Sequence, residues 1–114
     1  MRKAVKKMIN ISEPPSAIIC ISDAIAISCI DELLSLGIKI PEDMRISGFD
    51  NIGLASHNSI RLTSIGYEKG HIGEIAMQNL IELIEQKEAG IESTRHITLT
   101  PELFIRESTR NNHL

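Results

Sequence analysis

The chain has 114 residues, of which 42% are hydrophobic and only 3% aromatic, and its formal net charge at pH 7 is −3. This length supports one ordinary domain with a modest aliphatic core, and the acidic balance disfavours direct binding of nucleic acid by this surface. No apolar run reaches the ~18 residues of a membrane span, and no apolar segment typical of a secretory signal follows the N-terminus.

The first predicted element is a helix over residues 2–11, with apolar side chains on one side and basic ones on the other. The basic run is short and nothing extends it, so it is more typical of a solvated helix face than of a phosphate-binding patch. Pro14 and Pro15 end this pattern. Residues 17–21, AIICI, are apolar without interruption, which predicts a central strand of a parallel sheet, buried on both faces.

A second helix is predicted over residues 24–36, because its apolar positions recur at helical spacing. Ser22 and Asp23 precede it and are residue types that cap helix N-termini. Residues 44–49, MRISGF, and residues 62–65, LTSI, predict the second and third strands.

The last part of the chain predicts a long amphipathic helix over residues 68–87 and two short strands, at residues 96–99 and 103–106. The alternation of strands and helices is the signature of the α/β class. The expected fold is therefore a three-layer parallel sheet flanked by helices, with Rossmann-like right-handed connections. Residues 1–114 are expected to form a single domain.

Two carboxylates follow two of the predicted strands, Asp23 after the first and Asp50 after the second. Parallel strands end at the same rim of a sheet, and open α/β sheets bind their ligands at that rim. The two acids could therefore accept hydrogen bonds from one small polar ligand. The alternative for Ser22 and Asp23 is a purely structural N-cap, whereas the segment after Asp50 is a poor helix that needs a cap less.

Other chemical signals are weak. There is no glycine-rich dinucleotide-binding or phosphate-binding motif, and the four histidines lack metal-ligand spacing, so no catalytic residue, metal site or cofactor is predicted. Cys20 and Cys29 lie among apolar residues and are expected to be buried free thiols, which fits a reducing, cytoplasmic environment. An α/β enzyme that uses Asp50 as a nucleophile or base remains an open alternative.

The segments PPSAIICISDAIAIS, LGIKIPEDMRISGFDN, IRLTSI and LTPELFIREST, in this order, resemble the lactose-repressor and galactose-repressor (LacI/GalR) family of transcription regulators. The resemblance covers about residues 14–109 and points to the C-terminal lobe of the family's effector-binding core, which is similar to type I periplasmic binding proteins. It implies a regulator that is not an enzyme. DNA would be bound only by a helix-turn-helix domain absent from this chain.

The resemblance also implies roles for individual residues. The aspartate of the family's Gly-aromatic-Asp motif contacts the effector, and here that residue is Asp50. Ser22 and Asp23 border the cleft, and Cys20 lines the ligand. The implied effector is a small polar molecule such as a sugar or a nucleobase-like compound.

A homodimer is implied as well, through the helix after the Ser-Asp pair and the segment after the Gly-Phe-Asp motif. The alternative is that these side chains face the domain's own sheet. The expected interface residues are Ile27, Ile30, Leu34, Ile52, Ala55 and Ser56.

Three departures from the family are visible. Ser28 stands where the family often has a glycine. Ile60 and Arg61 replace a usual Pro-Pro pair, and Arg61 is expected to be a solvated substitution. Most of the first lobe is not present, so residues 68–95 would lack the surface on which they pack in an intact relative. The long helix is therefore expected to fold back onto this chain or to be exchanged with another copy. A sugar-binding transport protein of the same architecture is the second functional hypothesis.

Overall fold

The computed structural model describes residues 2–68, 70–92 and 94–110. These residues form two compact units. The first, which we call the sheet unit, contains the described residues up to Gly66 and those from Glu102 onward. The second, the helical unit, spans Tyr67–Pro101.

The sheet unit contains a four-stranded sheet in the order β1-β2-β3-β4. The strands are β1 (Ala17–Ile19), β2 (Arg45–Phe49), β3 (Thr63–Gly66) and β4 (Glu102–Phe104). The β1–β2 and β2–β3 pairs are parallel, and β4 is antiparallel to β3. The prediction of an α/β fold with a mostly parallel sheet and flanking helices is thereby confirmed. The prediction of a strand at residues 96–99 is wrong, because that segment has an irregular backbone.

Two helices belong to the sheet unit, α1 (Arg2–Ile9) and α2 (Asp23–Ser35). Both predicted helices are confirmed, and α2 packs against both β2 and α1. The buried core is aliphatic, as the scarcity of aromatic residues requires; its fully enclosed members include Val5, Ala26, Leu33, Ile46 and Leu62. Burying one such leucine or isoleucine contributes about 1.5–3 kcal/mol.

The position of β1 differs from its prediction. The strand was expected at the centre of the sheet, but it lies at an edge and pairs with β2 alone among the described strands. Ile18 and Cys20 face the core, whereas Ile19 and Ile21 are 82% and 85% exposed. The prediction is wrong because an apolar run reports only the character of the side chains. It does not report how many neighbouring strands this chain supplies.

The helical unit consists of α3 (His71–Glu88) and the irregular segment after it. The helix was predicted to begin at residue 68, but α3 begins at His71; Lys69 lies outside the described residues. None of its described residues is buried, and Met77 is 59% exposed. Arg95 binds Asn79 and Glu82 of α3, which ties the segment to the helix. Whether α3 folds back, is exchanged or packs on another lobe stays a prediction.

None of the described helices is long and apolar enough to span a membrane.

Candidate functional site

The carboxyl ends of β1 and β2 lie side by side, as the parallel register requires. Ser22 has an extended backbone and its Oγ accepts a hydrogen bond from the backbone N–H of Ile25 at 3.4 Å, so it is the N-cap of α2. Asp23 is the first residue of that helix, and Asp50 directly follows β2. The sheet therefore brings the two acidic segments to one rim.

Asp23 is enclosed completely by the sheet unit, with 0% of the residue exposed. Its Oδ1 accepts a hydrogen bond from the Ser64 hydroxyl at 2.7 Å, and its Oδ2 accepts one from the backbone N–H of Ile52 at 2.8 Å. Since a buried carboxylate needs such partners, both oxygens are committed to the protein itself. Asp23 is therefore enclosed by the domain, and its role at a ligand site stays a prediction.

Gly48 in β2 makes this arrangement possible. A Cβ added at Gly48 would collide with Oδ1 of Asp23 and would lie 3.0 Å from its Cα. Only glycine leaves room for the start of α2 to approach the strand this closely. The glycine of the Gly-Phe-Asp motif therefore has a steric role of its own.

The segment after β2, residues 50–52, which we call the rim loop, has an unusual backbone. Asp50 and Asn51 both have positive φ, at 97° and 48°, although neither is glycine. The loop passes directly over β3 at Gly66, where an added Cβ would lie 2.8 Å from the Cβ of Asn51. Asp50 is exposed and Asn51 is buried, so the loop turns one polar side chain outward and the other inward.

Arg106 was not expected at the site, but it binds the rim loop. Its Nη2 donates a hydrogen bond to Oδ1 of Asn51 at 2.7 Å, and its Nη1 donates one to the carbonyl of Leu62 at 2.6 Å. The guanidinium also lies 5.5 Å from the centre of the Phe104 ring. No local motif marks this arginine, because its partners lie more than forty residues away in the sequence.

Ser108 and Thr63 also support the site, although neither was predicted from the sequence. The buried Ser108 donates to the carbonyl of Ile46 at 2.6 Å and accepts from the backbone N–H of Thr63 at 2.8 Å. The Thr63 hydroxyl accepts from the backbone N–H of Arg106 at 2.8 Å. These bonds attach the C-terminal segment to β2 and β3, and they hold Arg106 where it reaches the rim loop.

Residues 1–109 match the family model described as the periplasmic binding protein-like domain. The chain belongs to this family. The HTH-type transcriptional repressor PurR of Haemophilus influenzae is 33% identical over 109 residues, which is 96% of this chain and 32% of the repressor.

Solved structures agree with the family match. A LacI regulator from Lactobacillus casei, crystallised with bound Tris, is 26% identical with a TM-score of 0.72 over 95% of this chain and 37% of the regulator. A LacI transcriptional regulator from a Rhodococcus species superimposes with a TM-score of 0.82 over 95% of this chain and 38% of the regulator; at 23% identity it supports the fold alone. The resemblance to LacI/GalR regulators is confirmed. This periplasmic binding protein-like chain spans about a third of the length of the curated relatives it matches.

Cys20, which the resemblance places along the ligand, is buried in this periplasmic binding protein-like domain. Burial raises the pKa of its thiol to about 11, and the neighbouring Cys29 adds to the effect. Burial also raises the pKa of Cys29. Both cysteines are free, and at neutral pH such thiols stay protonated, so neither is an effective nucleophile.

The residues expected at the dimer interface fall into two groups. Ile30 and Ala55 are buried in the core of the sheet unit, and Ile27 is half-buried. The outward-facing members are Leu34, Ile52 and Ser56. The interface stays a prediction, and these three side chains are the ones available to make it.

A small cavity of about 150 Å³ opens beside Leu34 and Ile30, with Arg61 and Glu107 in its wall. The two charged side chains form an ion pair at 3.0 Å, and each is about half exposed. Arg61 is thus a partly solvated residue that is paired within the domain. An exposed pair of this kind contributes little to stability.

Within residues 2–68, 70–92 and 94–110, no group of three or more His, Cys, Asp and Glu side chains is placed to hold a metal ion. In the same part of the chain the Asp50 carboxylate accepts no hydrogen bond. It is an exposed, unengaged acceptor on a fixed loop. Such a group can bind a hydroxyl or an amine of a ligand.

Proposed function

We propose that this chain is the effector-binding part of a LacI/GalR-type transcriptional regulator. The observation that carries the proposal is the family match over residues 1–109, together with a 33%-identical relative that is a transcriptional repressor. The position of Asp50 supports it, because the rim at the carboxyl ends of parallel strands is where open α/β sheets bind ligands. The relatives are named as transcriptional repressors, and we propose no enzymatic role for Asp50.

The ligand is a small polar molecule with hydroxyl or amino groups, such as a sugar or a nucleobase. Asp50 accepts hydrogen bonds from it and Ser22 borders it, while the buried Asp23 and Cys20 support the rim from inside the domain. Charge-assisted hydrogen bonds of this kind are stronger than neutral ones. In the regulator, the effector acts through its different affinities for the DNA-competent and DNA-incompetent states.

DNA contact belongs to a helix-turn-helix segment outside this chain, since the chain is acidic and its only basic run is short. A homodimer is proposed through three exposed residues: Leu34 on α2, Ile52 in the rim loop and Ser56 just after that loop. A cytoplasmic location agrees with two free, buried cysteines.

Substituting Asp50→Asn is expected to weaken effector binding about tenfold, because it removes a charged acceptor while keeping the size of the side chain. A thermal-shift screen of sugars and nucleobases on the unaltered chain identifies the ligand, and isothermal titration of that ligand measures the affinities. Asp31→Asn is the matched control, since Asp31 is an exposed residue of α2.

The proposal predicts that Asp31→Asn leaves the affinity unchanged. Equal affinities for the unaltered chain and for Asp50→Asn would contradict the role of Asp50. If no compound of either class raises the melting temperature, the assignment of the effector class is contradicted.

A further inference from the structure

We propose that Asp23, Ser64 and Arg106 are positioning residues that fix the direction of the Asp50 side chain by locking the backbone of the rim loop. The inference rests on the proposed function of Asp50, and it concerns residues that do not themselves touch the ligand. Its basis is a connected set of hydrogen bonds around residues 50–52.

Every backbone amide of the rim loop donates to a fixed acceptor. The N–H of Asp50 binds the carbonyl of Ile65 at 2.8 Å, and the N–H of Asn51 binds the Ser64 hydroxyl at 3.0 Å. The N–H of Ile52 binds the Asp23 carboxylate at 2.8 Å. Three consecutive amides therefore have no freedom to rotate without losing a bond.

Ser64 links two of these bonds. Its hydroxyl accepts from Asn51 and donates to Oδ1 of Asp23, and the residue is completely buried. Removing this hydroxyl would leave a buried N–H and a buried carboxylate oxygen each short of a partner. The serine thus connects α2, β3 and the rim loop in one network.

Arg106 also holds the loop, through a hydrogen bond to the Asn51 side chain at 2.7 Å. Because Asn51 is held both by its backbone and by its side chain, the preceding residue is fixed as well. Positive φ at Asp50 and Asn51 is a sparsely populated conformation that persists only where surrounding bonds impose it. The network supplies that constraint, and Asp50 is the exposed polar side chain of the loop.

The test uses the full chain and compares Ser64→Ala with Ser28→Ala. Ser28 is an exposed serine of α2 that donates to the carbonyl of Ala24, so it is a matched control outside the network. The first readout is amide hydrogen exchange by NMR. Ser64→Ala is expected to speed exchange at Asn51 and Ile52 about tenfold or more, while the amide of Cys20, bonded to Ser47, keeps its rate.

The second readout is the scalar coupling between the α and β protons of Asp50, which reports the χ1 rotamer without any ligand. One dominant rotamer is expected in the unaltered chain and in Ser28→Ala, and an average of rotamers in Ser64→Ala. Arg106→Lys, at a half-exposed position, provides a variant that cannot keep both of the arginine's bonds. In Arg106→Lys, Asp50 is also expected to populate several χ1 rotamers, so that the coupling between its α and β protons takes an averaged value.

The third readout is affinity for the compound found in the thermal-shift screen. Ser64→Ala is expected to weaken binding threefold to tenfold, and the Ser64→Ala/Asp50→Asn double variant is expected to be no weaker than Asp50→Asn alone. Unchanged exchange and coupling in Ser64→Ala would overturn the inference. Fully additive losses would also overturn it, since a merely structural serine would lower affinity independently of Asp50. Failure of the proposed function is a separate result, in which Asp50→Asn itself binds normally.

Discussion

Replacing Leu33 with alanine is expected to lower the free energy of unfolding by about 2–5 kcal/mol. Leu33 is fully buried on α2, within the aliphatic core. The substitution removes apolar contact and leaves a cavity that a close-packed interior refills only in part. Urea unfolding followed by circular dichroism measures the change from the midpoint and slope.

The control for this variant is the next residue of the same helix. Leu34→Ala makes the same chemical change at a side chain that is 53% exposed. At a protein concentration too low for association, it is expected to alter the free energy of unfolding of the monomer by no more than about 0.5 kcal/mol. Comparable losses at Leu33 and Leu34 would contradict the assignment of the inward face of α2.

Replacing Gly48 with alanine is expected to lower the free energy of unfolding by about 1–3 kcal/mol, the usual effect of overpacking. The new methyl group would collide with Asp23, including its backbone, so either β2 or the start of α2 must move. Because Asp23 also holds Ile52, the same shift should loosen the rim loop. Urea unfolding measures the stability, and the chemical shift of the Ile52 amide reports the loop.

Gly73→Ala is the matched substitution for Gly48→Ala. Gly73 lies inside α3, and nothing stands within 4 Å of an added Cβ. Alanine should therefore stabilise that helix by about 0.5–1 kcal/mol. If Gly48→Ala were as benign as Gly73→Ala, the close approach of Asp23 to β2 would be wrong.

Much of the fold follows from local patterns in the sequence. The helix periodicity after Ser22 and the capping chemistry of that serine place α2, and the apolar run before Gly48 places β2. Both signals lie within one element, and they depend on side chains that are neighbours in the chain. They are therefore readable without knowledge of the rest of the molecule.

The two wrong strand predictions have one physical cause. Whether a strand finds neighbouring strands to pair with does not depend on its local sequence. The run at residues 17–21 has the composition of a central strand, yet β1 lies at an edge. The segment at residues 96–99 has the β-branched character of a strand, but no described strand pairs with it. Strand formation requires a partner, and composition does not specify one.

The candidate site was predictable only in part. The position of Asp50 after a strand indicates a rim residue, and the structure places it there. Asp23 also follows a strand, but it is buried and hydrogen-bonded within the domain, whereas Asp50 is exposed. Ser64 and Arg106 were missed because their bonds join residues 41 and 55 positions apart in the sequence.

The most direct test of the central claim, that the exposed acid on a locked loop at the rim is the ligand-binding group, is a chemical-shift titration. The compound found in the thermal-shift screen is added to the isotopically labelled chain, and the amide shifts are followed by NMR. The account predicts that the largest changes fall on residues 48–52 and on Ser22 and Asp23. Changes confined to the cavity beside Leu34 and Arg61, with the rim loop unaffected, would contradict it.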